Sequence, residues 1–252
     1  MSLWNPDADH TLHVLHDVPG GDPAADLMGG IELLGSVRDG RSPATLRLYR
    51  PDPTMAFGQR DVRLPGYELA VEKSREHGFA PVVRKAGGRA AAYHRGTVIL
   101  DHVEPAGEAM LGHQQRFQVL GQLYADALRR GGIDARVGAI PGEYCSGDFS
   151  VHGLPGAQSP TRHAVKLVGT AQRVISGAWL FSSVFVIEDS APIRAVLDDV
   201  YQVMGIEMDP SSVGAADDLV PGYTVERFTE HLLAEYALHA ELVGAPPVGT
   251  MQ

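Results

Sequence analysis

Cys145 is the one cysteine among 252 residues, and it stands in "PGEYCSGDFSVH" (141–152), between a tyrosine and a Ser-Gly-Asp turn. A lone thiol is either a small buried hydrophobe or, as the thiolate, a nucleophile that needs a cation or base beside it. Downstream, Lys166 lies in the apolar run "AVKLVGTAQRVI" (164–175). A lysine in such a run marks a sheet edge, or a site where an ammonium meets a carbonyl, a phosphate or a thiol. A third segment, "RKAGGRAAAYH" (84–94), joins Arg84, Lys85 and Arg89 to Gly87 and Gly88. Glycines let a backbone approach a ligand closely, and three cations concentrate positive charge; the same residues also suit a solvated turn. The segment is neither a G-x-G-x-x-G fingerprint nor a Walker loop. Histidines are many (His94, His152 and His163 among eleven), but none stands at a fixed spacing from the thiol. His10, His13 and His16 have no carboxylate pattern to complete a metal site, and no metal is expected.

Composition narrows the classes of function. A net charge of −10 argues against general nucleic-acid binding, which needs a basic face. An acidic ligand would have to meet a local basic patch. No apolar run reaches the roughly 18 residues of a membrane span, and the N-terminus lacks the basic-then-apolar order of a signal peptide. One cysteine cannot form an internal disulfide or a thiolate metal cage, so a reducing, cytoplasmic setting is expected.

The elements that must position these groups follow from periodicity. Helices are expected at 23–37, 67–77, 114–130, 191–204 and 224–242. The third is the clearest, with Phe117, Leu120, Leu123, Tyr124, Ala127 and Leu128 on one stripe before Gly131-Gly132. The glycine pair inside 23–37 works against that helix. Strands are expected at 45–51, continuing at 53–59 after a proline break, and at 80–85, 96–103, 134–140 and 148–153. Two more flank the hairpin signal Ser176-Gly177. "GLPGAQSPTR" (153–162) reads as a mobile loop and 244–252 as a flexible tail. Consecutive strands outnumber strand–helix–strand units, which predicts an α+β fold: one domain over 1–243, a mixed, mostly antiparallel sheet with packed helices.

In this order the segments resemble the lipoate-protein ligase and octanoyltransferase family, whose fold is shared with biotin protein ligases. "LRLYRPDPTMAFGQ" is similar to the family's opening strand and Gly-x-x-Gln segment. "VVRKAGGRAAAYH" is similar to its Arg-Arg-x-Ser-Gly-Gly-Gly-Ala-Val-Tyr-His segment, and "VKLVGTAQR" to its Lys-Ile/Leu-x-Gly-Ser-Ala-Gln-Arg segment. The resemblance covers about residues 45–205. It is still nearer to the octanoyl amidotransferases, whose Gly-x-Tyr-Cys-Pro-Gly-x-Tyr/Phe segment stands here as "GEYCSGDFSV", with Ser146 in place of the proline.

The resemblance implies transfer of an octanoyl or lipoyl group to a lysine of a lipoyl domain. Cys145 would carry the acyl group as a thioester, and Lys166 would raise its thiolate fraction. Arg84, Lys85, Gly87, Gly88, Arg89, Ala92, Tyr93, His94, Gly169, Thr170 and Ala171 would bind substrate, in a tunnel floored by Ala90–Ala92, Tyr93 and residues 179–187. Implied partners are acyl carrier or lipoyl-domain proteins, such as the glycine cleavage H protein and dehydrogenase acyltransferase subunits. Docking would use Arg84, Lys85, Arg89 and Arg95; neither nucleic acid nor membrane is involved, and no cofactor is needed.

Two other readings stay open. One is an ATP-dependent lipoate-protein ligase using ATP and Mg, with Arg84, Lys85 and Arg89 on the phosphate. The other is an acyl-binding protein that performs no chemistry. Against the ligase, Arg89 replaces the third glycine of the motif, and "LFSS" (180–183) stands where those ligases carry a His-His-Gly-Thr-type segment.

Overall fold

The computed structural model describes Trp4 and residues 11–85 and 87–244. The chain begins with strand β1 (Thr11–His16) and helix α1 (Pro23–Arg38), then β2 (Thr45–Tyr49) and β3 (Thr54–Phe57). Helix α2 (Tyr67–Glu76) leads to β4 (Ala80–Val83), β5 (Ala91–Tyr93) and the long β6 (Thr97–Ala106). After α3 (His113–Arg130) come β7 (Asp134–Val137), β8 (Val151–Leu154), β9 (Val165–Ile175) and β10 (Gly177–Val186). Helices α4 (Ser190–Val203) and α5 (Val225–Tyr236) precede β11 (Glu241–Val243).

Eight strands form one sheet in the order β11-β1-β2-β6-β10-β9-β8-β7, and β4-β3-β5 form a second. Pairing is antiparallel except for β11 with β1, β1 with β2, and β3 with β4. The expected α+β class, with its mixed and mostly antiparallel sheet, is the one observed.

Helices α3 and α5 cover one face of the large sheet, where Trp179, Phe181, Phe185, Tyr124 and Phe228 are almost wholly buried. Each such side chain contributes about 1.5–3 kcal/mol on leaving water. On the opposite face lie α1 and the small sheet, the latter backed by α2 and α4 through Phe57, Val71, Ile193 and Leu197.

Three expectations need correction, and one strand was missed. The expected 45–51 and 53–59 strands are not one strand interrupted. Pro51 and Pro53 flank a break at which the chain leaves the large sheet, so β2 and β3 belong to different sheets. The expected helix 224–242 stops at Tyr236, and residues 241–243 instead pair in parallel with β1. Strand β1 itself went unread, although "TLHVLH" alternates. The loop after His152 is pinned, because buried Ser159 donates its hydroxyl to the Asp218 carbonyl at 2.8 Å. The tail read as flexible lies outside the described residues from 245 onward.

The glycine pair that argued against α1 proves to serve packing. A Cβ on Gly29 would lie 2.8 Å from the Arg47 guanidinium, and one on Gly30 would lie 2.5 Å from the Asp101 carboxylate. The pair lets the helix backbone press on a buried ion pair that links β2 to β6. Asp22 supplies the N-cap, accepting from the Ala24 and Ala25 amides.

Candidate active site

Residues 141–150 cross from β7 to β8 as a loop, and Cys145 sits in it with φ of 44°, a left-handed backbone unusual for a side chain of its size. Such a conformation costs on the order of 1–3 kcal/mol and persists only where the surroundings impose it. Here they do so from both sides. The Cys145 N–H donates to the Tyr201 hydroxyl of α4 at 2.9 Å, and that hydroxyl donates onward to the Ala90 carbonyl. The Cys145 carbonyl accepts from the Lys166 ammonium of β9 at 2.8 Å.

All three ammonium hydrogens are placed, the others going to the Tyr144 carbonyl at 2.9 Å and Glu143 Oε1 at 3.0 Å. Lys166 is 1% exposed, and Glu143 supplies its counter-charge. The Glu143 carboxylate also accepts from the Ser150 hydroxyl and the Ile140 and Gly147 amides, so it is a hub for the whole loop. Strand β8 pairs with β9, with His152 opposite Lys166, so the intervening loop leaves the expected meeting of Cys145 and Lys166 intact. The ammonium's hydrogen bond is to the carbonyl of Cys145, however, and not to its sulfur.

The donors at Sγ come from the glycine-rich segment. The Arg89 N–H lies at 3.1 Å and Arg84 Nη2 at 3.8 Å. Gly88, at φ of 101°, makes this possible, since a Cβ there would lie 2.9 Å from the sulfur. Gly58 lies under the same loop, where a Cβ would overlap the Gly88 carbonyl. Arg84 also donates to the Tyr93 hydroxyl and the Arg89 carbonyl. Burial disfavours its charge, but the opposing influence of Tyr93 and Cys145 leaves its affinity for the proton above the usual arginine range. Burial likewise pushes the Tyr93 phenol up, so at neutral pH it stays a hydroxyl beside the cation.

From the sulfur a cavity of about 290 Å³ runs between the large sheet and the small one, roofed by α1. Leu27, Ile31, Ala91, Ala92, Leu180 and Val184 supply apolar wall, and Asp101 and Ser182 a polar far end. Of the residues read from sequence, Cys145, Lys166, Arg84, Lys85, Gly88, Ala92, Tyr93, Gly169, Thr170 and Ala171 all line it. Gly87, Arg89 and His94 do not.

Arg89 reaches the sulfur through its backbone while its side chain pairs with buried Asp61. The His94 ring faces a turn, with Nδ1 accepting from the Gly96 amide and Nε2 against the Asp189 carbonyl. The basic quartet read as a patch is dispersed: Arg84 points inward, Arg89 meets Asp61, and Arg95 meets Asp52 at 2.6 Å. Lys85 remains exposed. Sequence reasoning missed Glu143, Tyr201, Asp61 and the Arg47–Asp101 pair. Only Glu143 carried a local signal, two residues before the thiol. Among the described residues no group of three His, Cys, Asp or Glu could hold a metal ion, and no helix is long and apolar enough to cross a membrane.

A half-buried thiol under a glycine turn, at the mouth of an apolar cavity on a mixed sheet, defines a class that the comparisons name. The chain belongs to the lipoyl protein ligase A/B catalytic domain family, whose model matches residues 30–237. It is 26% identical over 191 residues to the octanoyl-[GcvH]:protein N-octanoyltransferase of Geobacillus kaustophilus, covering 75% of this chain and 63% of that one. It is 24% identical over 204 residues to the lipoyl-[GcvH]:protein N-lipoyltransferase of Listeria monocytogenes, over 75% and 68% of the two chains. The chain thus spans a little under two thirds of the first of these relatives. In fold it is similar to a lipoate-protein ligase A crystallised with ATP, with a TM-score of 0.67 at 18% identity over 94% of this chain and 89% of that one.

Proposed function

We propose that this chain is an acyltransferase that moves an octanoyl or lipoyl group between protein carriers through a thioester on Cys145. The carrying observation is the sulfur itself, placed at the head of an apolar cavity with the Arg89 N–H 3.1 Å away. In the first half-reaction the Cys145 thiol gives up its proton, the thiolate attacks the acyl carbonyl, and the group that held the acyl chain on the donor carrier leaves with that proton. In the second, the ε-amine of an acceptor lysine attacks the thioester, the thiolate departs and the amine loses its proton. The Arg89 N–H and Arg84 solvate the sulfur whenever it carries charge, before attack and on departure.

Lys166 acts in this scheme as a positioning residue. It fixes the left-handed backbone that aims Sγ at the cavity. The partners are H-protein and lipoyl-domain carriers, in keeping with the names of the relatives. A reducing, cytoplasmic compartment would keep the thiol free. Each buried methylene adds about 0.8 kcal/mol of binding, which gives an eight-carbon chain a firm hold.

The ATP-dependent ligase reading needs Arg84, Lys85 and Arg89 to converge on a phosphate. Two of these are committed elsewhere, Arg84 to the sulfur and Arg89 to Asp61, which favours transfer without ATP or Mg. The test is intact mass after incubation with an octanoyl-carrier protein and no ATP. An octanoyl increment absent from Cys145→Ser is expected. Lipoate-dependent AMP release that survives Cys145→Ser would overturn the reading.

A further inference from the structure

The far end of the cavity is closed by a charged plug that the transfer chemistry does not use. Its floor is the large sheet, and register places side chains across it in rows. Ala171, Ser182, Asp101 and Arg47 follow one another on β9, β10, β6 and β2; Gly169, Val184, Ile99 and Tyr49 form the next row. At about 4.8 Å per strand, β9 to β6 is about 10 Å, the reach of a medium-length acyl chain.

At that point Asp101 accepts from the Ser182 hydroxyl at 2.7 Å and from Arg47 Nη1 at 2.9 Å. Arg47 lies behind it, its guanidinium against Gly29 of α1 and 4.3 Å from the centre of the Tyr49 ring. Its remaining donors reach Asp17 at 2.7 Å. Arg47 is 4% exposed, whereas the Asp17 side chain is 38% exposed, so the guanidinium separates the cavity from solvent. The polar groups at this end already satisfy one another, so they form a wall and not a receptor for a polar chain end.

We propose that the Arg47–Asp101 pair is the stopper that sets the longest acyl chain the cavity accepts. This rests on reading the cavity as an acyl site. A chain longer than the floor must push methylenes against a buried carboxylate and guanidinium, stripping them of hydrogen bonds while gaining no apolar contact. Removing the pair extends the cavity into the space that the Arg47 side chain now fills, toward Asp17.

The experiment is calorimetric binding of free hexanoate, octanoate, decanoate and dodecanoate, in parallel with acylation of Cys145 from an octanoyl-carrier protein. For the wild type, affinity should climb about fourfold per methylene, the equivalent of about 0.8 kcal/mol, as far as octanoate and then stop or fall. In Arg47→Ala/Asp101→Ala the dodecanoate-to-octanoate affinity ratio should rise tenfold or more. Arg47→Met/Asp101→Ala, which fills the site with apolar atoms should the first variant fail to fold, should shift the ratio the same way. Wild-type affinity that keeps climbing through dodecanoate overturns the stopper, as does a folded variant with an unchanged ratio. A length limit seen without any Cys145 thioester would leave the stopper standing and remove the transferase reading; a thioester without a limit does the reverse.

Discussion

Lys166 holds Cys145 by its carbonyl oxygen, at 2.8 Å, from a strand in which Val165 and Leu167 flank it. The strained residue is therefore gripped by its backbone, and its sulfur is left to the Arg89 N–H and Arg84. Aim and activation come from different segments of chain.

Removing the ammonium should cost both stability and reactivity. Lys166→Met leaves Glu143 as a buried charge without its cation, a loss of about 3–5 kcal/mol. Urea melts should show that cost, and Lys166→Met/Glu143→Gln should recover part of it. Recovered stability without recovered Cys145 acylation separates the backbone grip from simple charge balance; equal recovery of both would argue that the grip is dispensable.

The two adjacent glycines of the turn should behave oppositely. Gly88→Ala places a methyl 2.9 Å from Sγ on a backbone at φ of 101°, and should slow alkylation of Cys145 by iodoacetamide tenfold or more. Gly87→Ala has no neighbour within 4 Å and should leave that rate within twofold. Similar rates for the two variants would mean that the Arg89 N–H has no part in the reactivity of the thiol.

Helix α1 offers the same contrast in stability. Gly30→Ala drives a Cβ into the Asp101 carboxylate and should lower the melting temperature by several degrees. Gly35→Ala meets nothing within 4 Å and should stabilise by up to about 1 kcal/mol, because alanine is the better helix former. Melting curves of the two variants decide the matter.

A pH dependence is expected from His231 on α5. Burial, assisted by Arg227 and Arg130, holds its pKa below the ordinary 6.5, and its Nδ1 faces the Tyr223 hydroxyl at 2.8 Å. A depressed folded-state pKa means that the unfolded chain takes up the proton first. The contribution is thus fully present above pH 6.5 and is lost as pH falls through the lower folded value. Melting temperature between pH 7.5 and 5 should drop less steeply in His231→Gln than in wild type. Parallel slopes would show that the ring titrates alike in both states.

How far the sequence was legible depended on whether a signal was local. The stripe from Phe117 to Leu128 dictates α3, and Ser176-Gly177 dictates the β9–β10 hairpin, because each needs only its own neighbours. The route from β2 to β3 was not legible, since prolines announce a break without saying which sheet receives the next strand. Cys145, Lys166 and the glycine pair were visible as residue types. Their division of labour was not, because whether an ammonium meets a sulfur or a carbonyl is decided by how the loop at 141–150 folds onto β9. Asp101 and Tyr201 carry no motif at all; register across β2, β6 and β10 and the packing of α4 bring them in.

The bond between Lys166 and Glu143 also constrains how the sequence can drift. Neither residue can be exchanged first without leaving a bare ion in the interior, so a lineage that abandons one passes through a crippled ancestor unless both change together. "GEYCSG" and "KLVGTAQR", more than a dozen positions apart on the chain, should therefore be inherited as a linked block. Between them, residues 155–162 carry no such charge pairing among the described residues and are tied to the rest of the fold through Ser159.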